Sequence, residues 1–234
     1  MNMAFRRLLL ILLVATIAAC SGPDEPPAPT PTPTPEEWLA RALAQWQQQE
    51  SFHFLLALEG RTIPLDESGL LAFDEVEGDV VVPDRVQAET TIRTALGSLE
   101  AAFIAIGEEQ WLTNPLNDQW EPLPPDFRAD LRLLFDPEVG ISSLVSEVET
   151  LTREADETIN GRNSVHLNGT LPGEALGAFA PDMPETVTVD LWVDAETAVI
   201  HRVLITEPRD EPVTWQFDFS EFDAMPSIEP PVAP

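Results

Sequence analysis

Residues 79–93 read DVVVPDRVQAETTIR, and this stretch decides the fold class. Val80, Val82, Val86, Ala88, Thr90 and Ile92 fall on one side of an extended chain, and Arg85, Gln87, Glu89, Thr91 and Arg93 on the other. Side chains alternate with a period of two along a strand. The stretch is therefore a long antiparallel strand, or two, dry on one face and wet on the other.

The same period recurs on both sides of it. Residues 51–58 place Phe52, Phe54, Leu56 and Leu58 on one face, and 69–73, 99–106 and a segment around Trp111 extend the pattern. Residues 114–120 read as a turn into a short edge strand. Asn160-Gly161 is a type I′ hairpin signal that joins 155–159 to 164–171. Strands resume near Arg153, and three more, at 186–194, 199–207 and 212–219, close the chain.

Helical spacing appears in blocks. Thr34-Pro35-Glu36-Glu37 is a capping-box start, with Thr as N-cap and Pro in the first turn. Trp38, Leu39, Ala42, Leu43 and Trp46 then form an apolar stripe, with the two Trp expected to pin the helix on the sheet. A second helix is expected over 124–135, with Phe127, Leu131 and Leu134 on its stripe. A third starts at Asp136-Pro137 and carries Ile141, Leu144, Val145, Val148 and Leu151, and a short one covers 172–179. There is no alternation of strand and helix and no internal repeat, so the class is α+β.

The first residues have a different character. Arg6 and Arg7 precede an apolar run from Leu8 to Ala19. At about twelve residues it is too short to span a bilayer, which needs roughly 20. It has the layout of a signal peptide over residues 1–19. It ends Ile17-Ala18-Ala19-Cys20, which resembles a bacterial lipobox, and Cys20 is the single cysteine of the chain. The expectation is a diacylglyceryl-modified Cys20, an export signal and a membrane anchor on the extracytoplasmic side of the cell envelope. Residues 21–35, SGPDEPPAPTPTPTP, have nothing to bury and favour polyproline II. They form a tether of roughly 40 Å, so the expected division is 1–19, 20–35 and a domain at 36–234.

Composition narrows the function. In 234 residues there are 41 acids and 12 bases, every base an Arg, for a net charge of −29. Such a chain repels phosphate, which removes nucleic acid as a partner. One cysteine excludes a disulfide framework. No nucleophile-elbow, zincin, Walker or dinucleotide-binding motif is present. His53, His166 and His201 each sit in a strand pattern without a ligand-spaced neighbour, so no catalytic residue, metal or cofactor is expected. Residues 74–79, DEVEGD, read as a solvated acidic turn, and Asn168-Gly169-Thr170 as another turn.

Six collinear stretches are similar to the LppX/LprAFG family of bacterial lipoproteins: SFHFLLALEG (51–60), GDVVVPDRVQA (78–88), IGEEQWLTNPLNDQW (106–120), INGRNSVHLNGTL (159–171), VTVDLWVDAETAVIHRVLI (187–205) and FSEFDAMPSIEPP (219–231). The resemblance implies a LolA-like fold, an antiparallel curved half-barrel sheet wrapped around a few helices, with an apolar cavity between them. It also implies a multi-acyl lipid or glycolipid as ligand, carried or presented across the envelope without covalent chemistry, and a membrane transporter as a candidate partner. The alternative is an envelope adaptor or sensor of the same fold that binds a membrane protein.

Elementary energetics favours a carrier independently. Exposing a 16-carbon acyl chain to water costs about 12 kcal/mol, at about 0.8 per CH₂, or a factor of roughly 10⁹. A multi-chain lipid crosses an aqueous gap only inside a dry cavity. The candidate lining is Phe52, Phe54 and Leu56 of the first strand, Val80, Val82, Val86 and Phe103 of the next ones, Ile141, Leu144, Val145 and Val148 of the third helix, and Val187, Val189 and Leu191 late in the chain. With this acidity an anionic headgroup is repelled unless an Arg, such as Arg61, Arg128 or Arg132, sits at the mouth, so a neutral or glycosylated lipid is the easier ligand.

Overall fold

The structure is a computed structural model and describes residues 32–64, 72–94, 97–114, 117–123, 131–136, 139–177 and 182–231. Residues 1–31, with Cys20, the expected signal peptide and most of the expected tether, residues 69–71, 124–130 (with Phe127 and Arg128), Pro137 and Phe179 lie outside the described residues. Contacts divide the chain into Met1–Thr32 and Pro33–Pro234, and the second unit holds every described strand and helix.

Helix α1 (Pro35–Trp46) opens it with the expected capping box. Thr34 Oγ1 accepts from the Glu37 amide at 3.2 Å, and the Thr34 amide donates to Glu37 Oε2 at 3.0 Å. At the other end Trp46 wedges between Phe52 and Phe219, with ring centroids 5.0 and 4.7 Å away. Trp38 is buried in the core.

Among the described residues thirteen strands form one antiparallel sheet. They are β1 (Ser51–Glu59), β2 (Ile63–Pro64), β3 (Ala72–Val81), β4 (Arg85–Thr94), β5 (Gly97–Ile106), β6 (Glu109–Asn114), β7 (Gln119–Pro122), β8 (Glu149–Arg153), β9 (Glu157–Ile159), β10 (Arg162–Pro172), β11 (Thr186–Asp194), β12 (Ile200–Glu207) and β13 (Val213–Ser220). The order is β7-β6-β5-β4-β3-β1-β13-β12-β11-β10-β8, with β2 on β3 and β9 on β10. The first and last long strands, β1 and β13, are therefore neighbours in the middle, and each half of the sheet grows outward by hairpins. The fold is an α+β open half-barrel, a large curved sheet with few helices.

The DVVVPDRVQAETTIR stretch is two strands. Val82, Pro83 and Asp84 make the β3–β4 turn, which pairs Val80 with Val86 and Gly78 with Ala88. Val82 thus leaves the dry face and is 49 % exposed, a correction to its place beside Val80 and Val86. Residues 74–79 are β3 itself, and Asn168-Gly169-Thr170 lies inside β10; neither is a turn. In β3, a Cβ on Gly78 would stand 2.2 Å from the Gln87 carbonyl, so this close strand approach admits glycine alone. At Asn160-Gly161 both residues have positive φ, 50° and 79°, as a type I′ turn demands.

The helices are shorter than their stripes suggest. The described part of 124–135 is a single 3-10 turn, Leu131–Phe135, and that of 172–179 is another, Gly173–Leu176. The stripe that begins at Ile141 is helical only as α2 (Ile141–Ser146). From Glu149 the chain becomes β8, because the edge of β10 offers it backbone partners at Thr170, Asn168 and Leu167. Val148 stays buried there, facing Gly169, where the missing side chain makes room for its methyl. Tertiary pairing overrides the local helical period.

Candidate functional site

Strand registers bring one face of the sheet into a single apolar surface. Leu56 lies opposite Phe217 and Val76, Ala88 opposite Phe103, Leu191 opposite Leu167 and Val203, and Val189 opposite Ile205. Trp38, Leu39 and Ala42 of α1 and Ile141, Leu144 and Val145 of α2 close over it. Every residue of the expected lining except Val82 lies in this one buried cluster.

Among the described residues, two openings in the surface of this unit stand out. The larger, about 620 Å³, lies where β8, β10 and β11 end, and Glu149, Glu174 and Glu185 give it a carboxylate lining with Thr170, Thr186 and Met183. The smaller, about 350 Å³, lies at the β3–β4 turn. Its floor is Val80, Val86, Leu133 and Phe135, and its mouth is Asp84, Arg85, Arg132 and Asp136. Phe135 packs edge-on against Phe52 and tilted against Phe54, with centroids 5.2 and 4.8 Å apart, so the floor is continuous with the expected lining. A polar mouth over a floor that leads into the core is the arrangement that an amphiphile needs.

The arginines separate into two kinds. Arg61 is committed to structure: its guanidinium bonds Glu207 at 2.8 Å and Asp182 at 2.9 Å and lies 5.4 Å over the Trp215 ring. Glu207 is fully buried and also accepts from Arg209 Nε at 2.6 Å and Trp215 Nε1 at 2.9 Å. Burial opposes its charge, and these three donors more than offset that, so its pKa lies below the ordinary Glu value. Arg132 stands at the mouth of the smaller opening and donates to the Gly107 carbonyl at 2.5 Å. Beside it Arg85 donates to the Ile228 carbonyl at 2.8 Å.

The histidines lie elsewhere. His53 Nδ1 is 2.8 Å from Asp79 and Nε2 is 3.0 Å from Glu77. His166 stacks on Trp192 at 4.6 Å and bonds Asp190 at 2.7 Å. His201 is buried against Ser164 Oγ at 2.7 Å. Among the described residues no group of His, Cys, Asp and Glu is arranged to hold a metal. Three of the four carboxylates of residues 74–79 face their own partners: Asp74 pairs with Arg93, and Glu77 and Asp79 hold His53.

His53 and His201 make opposite contributions to stability. Burial works against the His53 charge, but bonding to Asp79 and Glu77 prevails, and its pKa lies above 6.5. That contribution is complete below pH 6.5 and is lost as pH rises through the raised value. Burial, then Arg162, lowers the pKa of His201, whose contribution is complete above pH 6.5 and is lost as pH falls toward the lowered value. His53→Gln is expected to destabilise more at pH 5.5 than at pH 8.5 in urea unfolding; an equal loss at both would refute the raised pKa.

Three comparisons bear on this arrangement. The LppX_LprAFG lipoprotein family profile matches residues 34–226. The lipoarabinomannan carrier protein LprG of Mycobacteroides abscessus is 28 % identical over 203 residues, covering 84 % of each chain. LprG of Mycobacterium tuberculosis is 24 % identical over 190 residues, 78 % of this chain and 76 % of that one. A putative phthiocerol dimycocerosate transporter, LppX of Mycobacterium bovis, is 22 % identical over 133 residues, 57 % of this chain and 47 % of that one. In structure, LprF of Mycobacterium bovis superposes with a TM-score of 0.68 at 17 % identity, over 87 % of this chain and all of that one. LppX of Mycobacterium tuberculosis gives 0.60 at 18 %, over 82 % and 98 %. The match to the family profile spans both strand blocks, α1 and every residue of the expected lining, and the chain belongs to the LppX_LprAFG lipoprotein family.

Proposed function

We propose that the protein is a membrane-anchored carrier that binds a multi-acyl lipid or glycolipid between sheet and helices and moves or presents it across the cell envelope, without covalent chemistry. The observation that carries this reading is the amphipathic opening at the β3–β4 turn, whose floor of Val80, Val86 and Phe135 runs into the buried apolar face. The names of LprG and LppX as carrier and transporter support it. Cys20 supplies the anchor, and residues 21–35 supply the reach. The volume of about 350 Å³ is at the lower end for a ligand cavity. A ligand with several chains requires α1 and α2 to lift from the sheet, and the energy comes from acyl burial, about 0.8 kcal/mol per CH₂.

The burial of every expected lining residue but Val82 in one cluster favours the second reading, an adaptor or sensor of the same fold that binds a membrane protein. Native mass spectrometry separates the two. Residues 33–234, which retain the Thr34 cap, are exported from a bacterium with its own lipids and measured intact. A stoichiometric adduct, stripped by organic solvent and identified as a multi-acyl lipid, is the expected result. A bare mass that takes up nothing from added vesicles would overturn the carrier and leave the adaptor.

A further inference from the structure

Among the described residues the large hydrophobic side chains that stand in solvent are Val82, Val139 and Met225, at 49, 39 and 53 % exposure. They are far apart in sequence, yet the fold brings them to one rim. Val82 is in the β3–β4 turn, and its amide donates to the Glu50 carbonyl at 2.9 Å. The Met225 amide donates to Ser51 Oγ at 2.8 Å, one residue on. The Val139 amide donates to Asp136 Oδ1 at 3.2 Å, and Asp136 lines the 350 Å³ opening with Pro83 and Asp84.

Met225 is held outward by construction. On one side of it Phe222 packs against Phe52, and the Asp223 amide donates to the Ser51 carbonyl at 2.8 Å. On the other side Ile228 is buried, with its carbonyl on Arg85. The chain is tied down at both ends of a short span, and the side chain between faces water with φ at 51°.

Charge selects the partner. The mouth balances Asp84 and Asp136 against Arg85 and Arg132 in a chain of net charge −29. Near Met225 in the chain the Glu50 amide donates to Asp223 Oδ1 at 2.8 Å, and the carboxylates of these two residues tip the rim slightly negative. An apolar rim of this charge fits a zwitterionic lipid surface and disfavours an anionic one.

We propose that this end of the sheet is a membrane-docking face, on which Val82, Val139 and Met225 insert among the headgroups of a bilayer and set the opening against it, so that lipid enters or leaves without crossing water. The proposal rests on the carrier reading. Pro33–Pro234 is a compact unit with its own core, so it can be tested without the anchor. Flotation with phosphatidylcholine vesicles is expected to carry this unit with the lipid, and replacing about a third of the lipid by phosphatidylglycerol is expected to weaken binding several-fold. Val82→Ser/Val139→Ser/Met225→Asn is expected to reduce flotation at least tenfold and slow vesicle-to-vesicle transfer in proportion, while uptake of detergent-dispersed lipid is unchanged. All three sites are exposed, and Asn tolerates positive φ. Met225→Asn alone, expected to give a several-fold loss, supplies a second variant should the triple one fail to fold. Failure of the parent unit to float, or a folded triple variant that floats and transfers as the parent does, would overturn the proposal. Binding to native membranes but not to protein-free vesicles would also overturn it and point to a protein partner. Absence of uptake from detergent, with flotation intact, would instead overturn the carrier reading alone.

Discussion

Glu207→Gln is expected to cost about 3 kcal/mol, which for a unit of this size lowers the melting temperature by roughly 10 °C. The carboxylate is fully buried and takes hydrogen bonds from Arg61, Arg209 and Trp215 at once. Removing its charge leaves the Arg61 guanidinium mostly buried, with Asp182 as its remaining carboxylate. Breaking a buried ion pair from one side costs about 3–5 kcal/mol. The lower end applies here because Arg209 is 39 % exposed and turns to water more readily. The pH dependence has a definite sign. A carboxylate with a lowered pKa contributes above its ordinary value of 4.5, and the contribution is lost as pH falls through the lowered value. The Gln variant should therefore lose much of its deficit in acid. A deficit that is constant from pH 7 down to pH 3 would show that the bonds act through geometry rather than charge.

Val86→Trp is expected to reduce the co-purified lipid adduct at least tenfold while the domain stays folded. Val86 is buried in β4 and forms part of the floor of the 350 Å³ opening, opposite Val80. An indole there occupies the space through which an acyl chain would reach the core. Extra methylenes in a packed site cost about 1–3 kcal/mol and an indole more, so Val86→Leu, with the same direction of effect, is measured beside it and circular dichroism checks that both fold. Thr186→Trp, in the carboxylate-lined opening of about 620 Å³, is the counterpart and should leave the adduct intact. Native mass spectra of the two variants decide which opening serves the ligand. Loss of lipid in the Thr186 variant with retention in the Val86 variant would reverse the assignment.

Strands were legible where burial alternates along the chain itself. Ser51–Glu59, Thr186–Asp194 and Val213–Ser220 each carry a dry face that no local alternative explains, and Asn160-Gly161 can make little but a tight hairpin turn. The α1 start was legible for the same reason, since Thr34 and Glu37 satisfy each other within one turn. The stripe from Ile141 to Leu151 misled because apolar residues at helical spacing also suit a short helix followed by an edge strand. Only the free edge of β10 made the second outcome better for Glu149–Arg153.

The α+β class, the hairpins, the first helix and every expected lining residue but Val82 were readable from local pattern, because each depends on residues within about ten of one another. The tertiary structure alone decided that Val82 turns out to solvent, that Arg61 is bound to Glu207 and Asp182 while Arg132 stands at an opening, and that Val82, Val139 and Met225 share a rim. These are relations between segments far apart in the chain. They are set by strand order and by how the helices and the C-terminal segment pack, which no local pattern encodes.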